Sequence, residues 1–256
     1  MSTPKIKVVI GIPSAGYTQA EAMHSIWLHA YHLGRFEAEN PEFEFHFKIC
    51  GRMFTPMNRE RIMESALQIG ADYVFMVDDD MVFKQDIFER LYRHKVDVVA
   101  ALAFTRNPPH LPVMYQSRKG WDEIIHKDFF ITEWIKNYPK NKLVEVDAVG
   151  FGCVLIDTKC VKNMKPPYFM CSSGTGEDIF FCLKAGEAGA RIFCDTSTKV
   201  GHLSNPMIID EEMAEKHNDR ELNDKLYGSY KRYGVYEVGN FPEVKMNGKE
   251  EVVLAR

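Results

Sequence analysis

Asp78, Asp79 and Asp80 stand side by side at the end of the apolar run 73–77, and the chain turns apolar again at Met81. Three adjacent like charges repel, and each favours water. Two arrangements accommodate them. One is a solvated turn leading into a helix, with an aspartate as its cap. The other is a bound cation. Mg²⁺ and Mn²⁺ take oxygen ligands in octahedral geometry, commonly one or two carboxylates plus substrate phosphates. A cation held there would neutralise the charge that develops on a departing diphosphate. In an extended segment Asp78 and Asp80 project to one side and Asp79 to the other, an alternation that a turn would break.

A second acidic pair, Glu177 and Asp178, follows the small residues SSGTG and opens an apolar helical face through Ile179, Phe180 and Leu183. Acids in a first helical turn are favoured by the macrodipole, which is one sufficient reason for them. The other is chemical: a positioned carboxylate can take a proton from a hydroxyl nucleophile. Repulsion between adjacent carboxylates raises one pKa and separates their roles. Among nine histidines only His202 follows a strand and short loop near the end of the α/β pattern. A neutral imidazole there could complete a site centred on Asp80, and its nitrogen would favour Mn²⁺ over Mg²⁺. The other eight histidines show no partner spacing and read as surface or core residues.

The elements that would position these groups alternate between strand and helix. Residues 6–12, 72–77 and 96–104 are nearly continuous apolar runs of the kind buried on both sheet faces. Between them, Met23, Ile26, Trp27, Ala30 and Tyr31 recur at helical spacing. Phe43, Phe45, Phe47 and Ile49 alternate, predicting a strand with a wet face or a place near an edge. Thr55 and Pro56 read as cap and first turn of a helix that stops at Gly70. A helix is predicted over 84–95. This order predicts a parallel sheet with helices on its faces, whose ligands sit beyond the carboxyl ends of the strands. The acidic triplet lies at such an end. Residues 113–140, with Pro108, Pro109 and Pro112 before them, resist assignment. Strand, short helix, helix and strand resume over 142–195, and 210–233 predicts a long amphipathic helix through Met213, Leu222, Leu226, Tyr227 and Tyr230. That helix could dock on its own domain, cover a cleft or form a homodimer.

The 256 residues are 45% hydrophobic and 27% charged, enough for a full core. A net charge of −4 argues against broad nucleic-acid binding. The six cysteines form no CxxC pair, and the N-terminus enters a strand with no signal-peptide shape. These features predict reduced thiols in a cytoplasmic compartment. No apolar run reaches the ~18 residues of a membrane span.

Five segments in order, KVVIGIPSAG, PMNRERIMESALQIGADYVFMVDDD, VDAVGFGCVLID, GEDIFFCLKAGEAGARIFCD and GHL, resemble the GT-A glycosyltransferases, especially the family-2-like group that uses nucleotide sugars. The resemblance covers about residues 5–203. It implies an α/β, Rossmann-like, mixed but mostly parallel sheet flanked by helices. It places the catalytic domain at 1–203 and a helical extension and tail at 204–256. It also implies a nucleotide-sugar donor (UDP- or GDP-linked), a hydroxyl acceptor and a Mn²⁺ or Mg²⁺ cofactor. Asp80, the last acid of a DxD-like motif, then looks like a metal ligand with His202, and Asp78 and Asp79 would assist the metal or meet the ribose. Pro13 and Ser14 match the loop that holds the nucleoside. Arg59, beside Asn58, matches a basic residue that approaches the diphosphate or ribose, with Arg61 its competitor. Gly150, Phe151 and Gly152 match the loop over the donor sugar, where missing side chains allow close approach. Asp178 matches the catalytic base of inverting members, with Glu177 as its acceptor-binding neighbour. The segment ICGRMFTP carries no acid to read the base, so uridine and guanosine stay open as the donor base. The QxxRW signature of processive synthases and membrane spans are absent, so transfer of a single sugar is expected. A nucleotidyltransferase is an alternative, but PSAGYT has one glycine and no cation for a phosphate loop. A non-catalytic nucleotide-sugar-binding protein is the other.

Overall fold

The computed structural model describes residues 4–122, 127–171, 175–204, 207–217, 243–246 and 250–254. The apolar runs become the central strands. β1 (Ile6–Ser14), β2 (Phe43–Gly51), β3 (Tyr73–Val77) and β5 (Val98–Leu102) arise as predicted, with helices α1 (Ala20–Glu39), α2 (Thr55–Gln68) and α3 (Ile87–Tyr92) between them. A two-residue strand, β4 (Met81–Val82), follows the acidic triplet. Next come β6 (Met114–Asp122), β7 (Lys127–Trp134), β8 (Leu143–Val146), β9 (Ala148–Val149) and β10 (Cys153–Asp157). After a 3₁₀ turn (Thr158–Val161) come α4 (Glu177–Glu187), β11 (Ile192–Lys199), β12 (Gly201–Ser204), β13 (Met207–Ile209) and α5 (Glu211–His217). β14 (Glu243–Met246) and β15 (Glu250–Leu254) complete the order.

The main sheet runs β14-β15-β8-β11-β5-β10-β3-β1-β2. β1 pairs in parallel with β2 and β3, and β5 with β11, while β10 enters antiparallel between β3 and β5. This is the mixed, mostly parallel Rossmann-like sheet flanked by helices that the GT-A resemblance implies. Strand alternation splits the core in two. Val74 and Met76 face a cluster that includes Ile62 and Met63 of α2 and Phe181 of α4. Phe75 and Val77 face one with Leu33 of α1 and Phe88 and Leu91 of α3. Gly11 lets α2 close on β1, since a Cβ there would lie 2.4 Å from Ile62 Cγ2.

Several details depart from the periodicity. α1 turns Ala22, Ser25, His29 and Leu33 inward, whereas Trp27 and Tyr31 are exposed. His29 is tolerated inside because its Nδ1 bonds Gln85 O at 2.7 Å, and burial lowers its pKa to about 4. α2 is capped by Phe54 rather than Thr55, and its end is followed by Gly70 at φ 67°. α3 is shorter than the predicted 84–95. β2 is an edge strand, and its far end exposes Phe47 and Ile49. Residues 113–140 hold the β6–β7 hairpin, which joins β9 in a small separate sheet. The helix expected over 210–233 is observed as α5. The rest of that expectation, with Leu222, Leu226, Tyr227 and Tyr230, falls on residues outside the described ones. β15 pairs in parallel with β8, so this last segment extends the main sheet. No helix among the described residues is long and apolar enough to cross a membrane.

Candidate functional site

The acidic triplet does not continue β3. The Met81 amide donates to Asp78 O at 3.3 Å, closing a turn before β4. The expected alternation is therefore lost, and the three carboxylates diverge to three separate partners. That divergence is how the segment relieves repulsion between neighbours.

Asp78 points inward to α2. Arg59 Nη2 donates to its Oδ1 and Oδ2 at 2.9 and 3.0 Å. Arg59 is buried; its Nη1 donates to Phe151 O at 3.0 Å, its guanidinium lies over the Phe151 ring, and its Nε faces Glu177 Oε1 at 3.2 Å. Helical phase thus turns Arg59 inward and leaves Arg61 exposed. Burial pushes the Asp78 carboxyl up to about 6, although Arg59 opposes the rise. Both Asp78 oxygens are engaged by Arg59, which positions this carboxylate from the inner side. Arg59, in turn, is committed to protein carboxylates and braces the triplet against α4 rather than reaching outward.

Asp79 faces the first loop, where the Ala15 amide donates to its Oδ2 at 3.1 Å. The same loop is held from α2 by Asn58, whose Nδ2 donates to Ser14 O at 3.3 Å and Met53 O at 3.2 Å. Pro13 is buried and Ser14 partly exposed, with Ser14 Oγ accepting from Gly16 N at 3.0 Å. Pro13, Ser14, Asn58 and Asp79 therefore belong to one cluster at the carboxyl end of β1.

Asp80 meets His202. The imidazole Nε2 lies 3.3 Å from Asp80 Oδ2. Backbone pairing produces the approach: β12 lies antiparallel to β4 with His202 opposite Met81, and the Leu203 amide donates to Asp80 O at 2.9 Å. His202 Nδ1 bonds Phe104 O at 3.0 Å, which leaves Nε2 to present a lone pair when the ring is neutral. Burial alone would raise the Asp80 carboxyl, but His202 and Arg106 outweigh it and hold it below its ordinary value. For His202 burial lowers the pKa, and Asp80 outweighs that and raises it. Arg106 Nη2 bonds Asp80 Oδ2 and lies 3.3 Å from His202 Nε2.

One carboxylate and one imidazole make a fair partial set for Mn²⁺ or Mg²⁺, with phosphate and water oxygens to fill the remaining positions. Asp80 Oδ1 supports the fit, because it is buried and makes no hydrogen bond. Among the described residues no group of three or more His, Cys, Asp or Glu side chains is gathered as a protein-only metal cage.

Asp178 and Glu177 open α4 behind Gly176. Burial raises the Asp178 carboxyl and Glu177 adds to the rise, against Arg59. Its Oδ1 accepts from the Ile179 amide at 2.7 Å. A carboxylate with a raised pKa in the first turn of a helix suits proton abstraction. Gly150, Phe151 and Gly152 join β9 to β10. Phe151 is buried, edge-on to Phe169 and Phe181. A Cβ at Gly150 would meet Val113 at 2.9 Å, and one at Gly152 would meet Met81 Cε at 3.1 Å. Protein side chains are thus what these glycines accommodate, and the ring of Phe151 turns to the core. Arg106 escaped the sequence reading. Its signal was its place just beyond the carboxyl end of β5, where the strand-end rule also applies.

No protein-family model matches the chain, and no curated protein matches it. Among solved structures, the crystal structure of A197 from STIV is 19% identical, with 81% of this chain and 91% of that chain covered, at a TM-score of 0.52. The crystal structure of GalNAc-T7 with UDP, GalNAc and Mn²⁺ is 11% identical, with 80% of this chain and 45% of that chain covered, at a TM-score of 0.47. At 19% identity the likeness to A197 is one of fold alone.

Proposed function

We propose that the chain is a metal-dependent, family-2-like glycosyltransferase acting in the cytoplasm. It would move one sugar from a UDP- or GDP-sugar to an acceptor hydroxyl, with inversion, using residues 1–203 as the catalytic unit. The observation that carries this reading is the 3.3 Å approach of His202 Nε2 to Asp80 Oδ2 at the carboxyl end of the central strands. Asp80 and His202 would hold the ion, with the imidazole favouring Mn²⁺. When bound, the ion would act as a Lewis acid on the leaving diphosphate.

The chain's own residues do the rest. Pro13 and Ser14 present the nucleoside loop, kept in place by Asn58 and Asp79. Arg59 and Asp78 keep the triplet and α4 in register. Asp178 takes the proton of the acceptor hydroxyl, while Glu177 borders the acceptor. The hydroxyl oxygen bonds to the anomeric carbon from the face opposite the leaving group. The bond from that carbon to the phosphate oxygen breaks, and the nucleoside diphosphate departs with the electron pair. The test is incubation with a panel of nucleotide sugars and Mn²⁺. Slow hydrolysis of one donor supports the proposal. Nucleotide-induced thermal stabilisation without turnover of any donor favours a binding protein instead.

A further inference from the structure

Arg106 occupies the position that the proposed ion would need. Its Nη2 contacts the Oδ2 of Asp80 and the Nε2 of His202, the same two donor atoms. A guanidinium donates hydrogen bonds and has no lone pair to offer, so it cannot join a coordination shell. It also repels a divalent ion at contact distance, and strongly where water is partly excluded. Occupancy of this seat by Arg106 and by a metal is therefore exclusive.

The surroundings make the side chain the movable part. The loop that carries it is tied down by its own backbone and side chains. The Thr105 amide donates to Leu111 O at 2.9 Å, Thr105 Oγ1 accepts from Leu111 N at 3.0 Å, and His110 Nδ1 bonds Thr105 O at 3.0 Å. Phe104, in the same stretch, holds His202 through its carbonyl. The Arg106 side chain is 51% exposed, whereas Asp80 and His202 are each 22% exposed. A change of rotamer can carry the guanidinium into solvent without opening the loop, and the ligand pair stays as it is.

We propose that Arg106 is a built-in cation that holds the Asp80–His202 seat in the ligand-free protein and competes directly with the divalent ion for it. This rests on the metal reading above and adds to it a residue that sets metal affinity. It also explains how a partly buried carboxylate that awaits a metal is kept compensated before the metal arrives.

The experiment titrates Mn²⁺ alone, without nucleotide, and reads bound ion from the loss of the free-ion paramagnetic resonance signal. The proteins are wild type, Arg106→Ala, Arg106→Lys, Asp80→Asn and the Arg106→Ala/Asp80→Asn double variant, each checked for folding by circular dichroism. Arg106→Ala should bind Mn²⁺ about tenfold more tightly than wild type, equivalent to ~1.4 kcal/mol. Arg106→Lys should fall between, since a lysine retains the charge but not the planar fork. The gain should vanish in the double variant. Unchanged or weaker binding by Arg106→Ala, with binding lost in Asp80→Asn, overturns the competition and leaves the metal reading intact. A gain that survives in the double variant also overturns it, because the ion then sits elsewhere. Failure of wild type and Arg106→Ala alike to bind Mn²⁺ overturns both.

Discussion

Arg59 grips Asp78 through both carboxylate oxygens, at 2.9 and 3.0 Å, from inside the protein. The pair joins two motifs that are far apart in the chain, because the same guanidinium faces Glu177. Removing one partner leaves a buried charge uncompensated, a loss of about 3–5 kcal/mol when burial is complete. Asp78 is partly exposed, so Arg59→Met should cost somewhat less, on the order of 3 kcal/mol. Urea unfolding checks this. The Arg59→Met/Asp78→Asn double variant should lose clearly less than the sum of the singles, and simple additivity would remove the coupling.

Asp178 should govern the acid limb of the rate. Its carboxyl is raised by burial, and a base must be ionised, so activity should climb with pH through a value above the ordinary aspartate range. The profile of kcat/KM against pH measures it. Asp178→Asn should lose about 10²–10⁴-fold in transfer while keeping its fold and Mn²⁺ binding. Full activity in that variant would reassign the base.

Asp195 predicts the protein's acid sensitivity. Burial would raise its pKa, but bonds from His94, Ser197 and Thr198 outweigh that and hold it well below the carboxylate range. A lowered folded-state pKa gives stability that is present above the unfolded value, near ~3.9, and lost as pH falls toward the folded one. Asp195→Asn should therefore be most destabilising at neutral pH, and the gap from wild type should narrow below about pH 4. Urea midpoints at the two pH values decide it; a constant gap would contradict the assignment.

Gly150 should be intolerant of a side chain for a local reason. A methyl group there would press on Val113 at 2.9 Å. Gly150→Ala should cost about 1–3 kcal/mol as overpacking. Val113→Ala in the same chain should return part of that loss. No recovery in the double variant, measured by thermal unfolding, would mean that backbone conformation and not space is the constraint.

What could be read in advance followed from burial. β1, β3 and β5 are covered on both faces, so their apolar runs were plain, and the triplet's place at a strand end followed. The β6–β7 hairpin was opaque because MYQSRKGWD mixes charge, glycine and aromatics without a sustained period. α1 was found but its face was not: Trp27 and Tyr31 suggested a core side, while the fold buried Ser25 and His29 because each finds a backbone partner. The direction of each aspartate could not be read, since a turn overrides strand alternation. Arg106 shares only the strand-end position as a signal, because its meaning comes from Asp80 and His202, which reach it through the pairing of β4 with β12.

The most direct test of the central claim is nucleoside diphosphate release from a nucleotide sugar, followed as a function of Mn²⁺ concentration in wild type, Asp80→Asn and His202→Gln. Wild type should cleave one donor with saturating dependence on the ion and lose that activity to a chelator. Both variants should need far more Mn²⁺ or fail outright. Turnover in wild type that ignores the chelator, or variants that respond to Mn²⁺ as wild type does, would contradict the claim that these two side chains share an ion.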